Sequence, residues 1–65
     1  MYVPNEEEIE FLQIQLIRYN AFRLRHGKEV IPINTYLESI KDGASICIGT
    51  ANDFQKMHDL LLKFK

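Results

Sequence analysis

The chain has little of what usually staples, breaks or charges a small fold. Its single cysteine, Cys47, excludes an internal disulfide, and small secreted domains ordinarily need two or more such bridges because their cores are thin. A reducing, cytoplasmic setting is therefore expected. Three glycines and two prolines are too few for a collagenous or low-complexity chain. Neither sign of charge is in excess. Eight Lys and Arg stand against nine Asp and Glu, a net charge of -1, so no global field draws the chain to phosphate backbones or anionic membranes. Long apolar runs are missing as well, because charged residues interrupt every cluster far short of the roughly 20 positions that span a bilayer. No basic, apolar leader opens the chain. None of Asn5, Asn20, Asn34 or Asn52 is followed two positions later by Ser or Thr, so no glycosylation acceptor is present.

What remains is an apolar fraction of 46% with 26% charged residues in 65 positions, enough to fold and short enough for one small domain over residues 1–65. The first helical pattern runs from Asn5 to His26. Asn5 and Glu8 have the spacing of a capping box, and Gly27 suits the position just past a helix end. Glu6, Glu7, Glu8 and Glu10 near the start, with Arg18, Arg23, Arg25 and His26 near the end, complement the helix dipole. A charge run in that place reads as a solvated helix terminus. Pro32 then pushes Ile31 toward extended geometry, so Lys28 to Ile33 is expected to be a connector or short strand.

A second helix is predicted over Tyr36 to Asp42, with Thr35 and Glu38 as its capping box, Gly43 as its stop, and Tyr36, Leu37 and Ile40 along one stripe. The alternative is an α+β fold in which Asp42-Gly43 turns a hairpin between Leu37–Ile40 and Ser45–Ile48. That register leaves neither face cleanly apolar, which favours the helix. Ser45 to Ile48 is then a short extended segment against the core. After Gly49, with Thr50 or Asn52 as cap, Phe54, Met57, Leu60, Leu61 and Phe64 recur at helical spacing. The expected fold is mainly α: three helices, the first long, with a short extended middle.

The first helix carries more apolar surface than one packing partner needs. Ile9, Leu12, Leu16 and Tyr19 share one stripe, and Ile14, Ile17, Ala21 and Leu24 another, with Gln13 and Asn20 between them. Phe11 and Phe22 point in a third direction beside Arg18 and Arg25. Helices two and three could cover both flanks. Against that, a chain this short buries only about 60% of its unfolded surface, a deficit that association would repair. Phe11, Ile14, Ile17, Ala21, Phe22 and Leu24 are thus the candidate protein-interaction residues. The 9, 12, 16, 19 rhythm continues into Arg23 and His26, which excludes a sustained coiled coil on that stripe.

Chemistry-bearing patterns are weak. Arg18, Arg23, Arg25 and Lys28 around Phe22 form a candidate nucleic-acid surface, one that neutralises phosphates while the ring packs or stacks. However, the separation of helices two and three does not match a helix-turn-helix. Cys47 with His26 or His58 lacks any spacing that pre-arranges a thiolate and an imidazole, and lying between Ile46 and Ile48 it reads as a small buried hydrophobe. Two His, Cys47 and Asp59 lack metal-ligand spacing, and the isolated glycines form no phosphate cradle. The sequence therefore points to a non-enzymatic protein without cofactor or metal. It would act on a protein partner or on its own copy through the first helix, as a regulator, inhibitor or adaptor. The alternative is a nucleic-acid-binding module, and no membrane role is expected.

Overall fold

The computed structural model describes residues 2–41 and 47–64 as three helices in the order α1 (Glu6–Arg25), α2 (Ile33–Lys41) and α3 (Ala51–Lys63), with no strand among the described residues. The protein is mainly α, and the hairpin does not form: Leu37 to Ile40, one of its two proposed strands, lies inside α2. The Asp42-Gly43 turn and the segment Ser45-Ile46 lie outside the described residues.

Both ends of α1 follow the local signals. Asn5 accepts the Glu8 N–H at 2.9 Å through its side chain, and Glu8 accepts the Asn5 N–H at 2.9 Å in return. At the other end His26 caps the helix. The N–H of Lys28 reaches the Arg23 carbonyl at 2.9 Å and that of Gly27 the Leu24 carbonyl at 3.1 Å, a Schellman closure. It needs a left-handed residue at position 27, and Gly27 supplies φ 71. Gly27 to Pro32 then connect to α2 without regular structure.

Two departures from expectation have local causes. Helix α2 begins at Ile33, three residues ahead of the predicted Tyr36, because the Pro32 carbonyl already accepts the Tyr36 N–H at 3.1 Å. Thr35 therefore sits inside the helix and caps nothing; its carbonyl accepts the Ser39 hydroxyl at 3.1 Å. In α3, Thr50 is the cap, as one of the two expected residues, and Asp53 completes the box. Phe54 is half-exposed and outside the core. Residues three apart precess by about 60° around a helix, so Phe54 lies far round from Leu60 although both fit the spacing.

The core takes side chains from every helix. Leu12 of α1, Tyr36 and Ile40 of α2, and Met57 and Leu60 of α3 are buried, ringed by half-buried Leu16, Tyr19, Leu37, Leu61 and Phe64. The Tyr19 and Tyr36 rings stack at 5.9 Å, joining α1 to α2. Helix α3 runs antiparallel to α1. Glu8, near the start of α1, meets Lys63 at the end of α3 at 2.8 Å, and Arg18, late in α1, meets Asp53 at the start of α3 at 3.2 Å. The Asn20 side chain fixes the connector, donating to the Ile31 carbonyl at 3.0 Å and accepting the Ile31 N–H at 2.9 Å.

Candidate interaction face

Helix α1 turns about 100° per residue, which places Leu12, Gln15 and Tyr19 on the inward side and Ile14, Ile17, Ala21 and Leu24 diametrically opposite. Exposure follows that geometry. Leu12 and Gln15 are each 1% exposed, whereas Ile14 is 49%, Ile17 69% and Leu24 61% exposed, and Ala21 is also exposed. Helices α2 and α3 both pack on the inward side, so the second stripe has no cover from the chain's own helices.

The six predicted interaction residues do not form one surface. Ile14, Ile17, Ala21 and Leu24 share the outward face. Phe22, 45% exposed, lies round the helix from them and stacks on the His26 ring at 4.3 Å. With Arg18, Ala21, Arg25 and Ile48 it lines a groove of about 230 Å³. Phe11 belongs elsewhere. It is half-buried against the core beneath Lys56, whose ammonium lies 5.9 Å from the ring centroid, in a depression that it shares with Glu8 and Lys63.

Intramolecular contacts divide the predicted basic patch. Arg18 donates to the Ile48 carbonyl at 2.9 Å and to Asp53. Arg23 donates to the Glu29 carbonyl at 2.6 Å and lies over the Tyr19 ring at 5.7 Å. Arg25 and Lys28 are exposed. Two of the four cations are therefore engaged in holding loops and rings of the fold, which reduces the charge open to a phosphate backbone.

Cys47 and His58 line one groove together with Phe54, Met57 and Leu61, although no spacing predicted it. The sulfur does not have the environment of a nucleophile. Burial pushes the Cys47 thiol up, with the Asp53 charge adding to the shift and Arg18 opposing it, and the Cys47 Sγ lies 3.5 Å from Gln15 Oε1. A raised thiol pKa lowers the thiolate fraction on which reactivity depends. Among the described residues no group of three or more His, Cys, Asp or Glu is placed to hold a metal ion, and no helix is long and apolar enough to cross a membrane.

Sequence reasoning misses Gln15 as well as the connector-holding Asn20. Gln15 Oε1 also accepts the Ile48 N–H at 3.2 Å, which anchors the segment leading into α3. A polar residue between Leu12 and Leu16 on the inward arc was the available signal. No protein-family model matches the chain, and no match is found among curated proteins or solved structures.

Proposed function

We propose that the chain is a small interaction module, acting as a regulator, inhibitor or adaptor, which docks the outward face of α1 on a protein surface and performs no catalysis. The observation that carries this reading is the exposure of Ile14, Ile17 and Leu24 on the side of α1 opposite the core. Scattered apolar side chains on a surface need no explanation, whereas a contiguous stripe marks a contact site. The accessible surface of 4848 Å² also exceeds, by roughly a tenth, the about 4,300 Å² typical of a folded monomer of this mass. The alternative nucleic-acid reading draws on Arg25 and Lys28 alone, since Arg18 and Arg23 are engaged within the chain.

The test is the double substitution Ile17→Lys and Leu24→Lys. Lysine is a good helix former, and changes on a solvent-facing surface stay within about 0.5 kcal/mol. The expected result is an unchanged helical spectrum and melting temperature in dilute solution, together with reduced binding of a fluorescent apolar dye. Unfolding of the double variant would show that this stripe is part of the core and overturn the reading.

A further inference from the structure

Taking the docking reading as its basis, we infer that the occupant of this face is a second copy of the chain, its α1 lying antiparallel to the first across a two-fold axis level with residue 19. The spacing of the outward residues supplies the first argument. Glu10, Ile14, Ile17, Ala21 and Leu24 follow a 4-3-4-3 rhythm within α1, the seam of a two-helix contact, and Lys28 lies just past the helix end, beyond the Gly27 stop. This rhythm is separate from the inward series, of which Leu12, Leu16 and Tyr19 pack in the core of the same chain while Ile9 is exposed. A seam of this kind on a helix of 20 residues supports a short helix pair and no extended coiled coil.

Charge supplies the second argument and sets the direction. Exposed Glu7 and Glu10 lie at the first end of the seam, and exposed Arg25 and Lys28 at the other. A parallel pair would lay acid on acid and base on base. An antiparallel pair lays each acidic end over a basic one. Inverting the seam about the level of residue 19 maps its apolar part onto itself: Ile14 meets Leu24 of the second copy and Ile17 meets Ala21, while Glu10 comes level with that copy's basic end, where Arg25 closes α1 and Lys28 follows. A self-complementary patch is what a two-fold dimer interface requires. The small Ala21 opposite Ile17 lets the helices approach closely at the centre, and the charged pairs close both ends.

Area sets the strength. Stable interfaces bury about 800 Å² on each partner, more than one short helix face offers, so the dimer is weak and reversible, dissociating in the micromolar to millimolar range.

Sedimentation equilibrium of the full chain from about 10 µM to 2 mM tests the inference directly. The wild-type mass should rise from 7.7 kDa toward twice that value. Glu10→Lys alone and Lys28→Glu alone each set like charges together at both ends, and should weaken association by about five- to tenfold. The two changes combined should restore it. Both positions are exposed, so the helical spectrum should stay constant through the series. In a parallel dimer no charge variant alters the like-on-like pairing, so association insensitive to the three variants would overturn the antiparallel arrangement. A wild-type chain that stays monomeric at 2 mM would overturn the second copy as occupant. The docking reading survives that result if the Ile17→Lys, Leu24→Lys double variant remains folded, and falls only if that variant unfolds.

Discussion

Gln15 and Ile48, 33 positions apart, are joined by a hydrogen bond of 3.2 Å from the Ile48 N–H to the Gln15 side-chain oxygen. The bond fixes which way the carboxamide points, because a flipped Gln15 would set two donors against each other. Its Nε2 is left buried with no hydrogen-bond partner among the described residues, a loss of roughly 1–3 kcal/mol. Replacement by a residue of similar shape therefore has two opposing effects. In Gln15→Met the orphaned donor disappears and the acceptor for Ile48 is lost with it. Global stability should change by less than about 1 kcal/mol, while the Ile48 amide loses its protection from hydrogen exchange. Continued slow exchange of that amide in the variant would show that the bond does not hold the segment.

Gly49 stands where the Asp53 carboxylate and the Arg18 guanidinium converge. At φ 156 its backbone is in a region that side chains rarely occupy. A Cβ there would collide with the Asp53 carboxylate and come within 2.7 Å of Arg18 Nη1. Asp53 closes the capping box of α3 and pairs with Arg18, so neither group can move aside without loss. Gly49→Ala is expected to destabilise the protein by about 2 kcal/mol or more, seen as a lower urea midpoint. Gly27→Ala should cost about 1 kcal/mol, since the Gly27 backbone is also left-handed but nothing lies within 4 Å of an added Cβ. Equal effects at the two positions would refute the crowding at Gly49.

Acid should loosen the contact between the first and last helices. Lys63, the Tyr2 hydroxyl and the Asn5 N–H all donate to Glu8 and hold its carboxyl at about 2, against an ordinary 4.5. A folded-state value below the unfolded one gives stability that is fully present above pH 4.5 and lost as the pH falls toward 2. Asp53 is lowered too, mainly by the Thr50 backbone, and adds to the same trend. The melting temperature should therefore be flat above about pH 6 and decline below 4.5. Glu8→Gln should lower the plateau and make the acid decline shallower; a decline unchanged in that variant would assign it to other carboxylates.

How legible the fold was in the sequence depended on the range of each interaction. The Asn5–Glu8 box and the Gly27 stop involve neighbours within a turn, and both form as the residue spacing predicts. The start of α2 is not legible because Thr35 and Glu38 imitate a cap, while the carbonyl of Pro32 opens the ladder three residues earlier. The division of α1 into two apolar stripes follows from helical periodicity alone. Assigning Phe11 to the inward side did not, since it depends on where α3 lies, and the Glu8–Lys63 contact that fixes this spans 55 positions. Gln15 and Asn20 were hidden for the same reason. Each serves a backbone segment distant in sequence, and nothing in its immediate neighbours names that segment.

The edge-to-face contact of Tyr2 with Phe64, ring centres 5.6 Å apart, brings the two ends of the described chain together against the core. A short Gly-Ser bridge across these ends, with a new opening in the exposed stretch at positions 28–30, would give a circular permutant retaining the same three-helix arrangement.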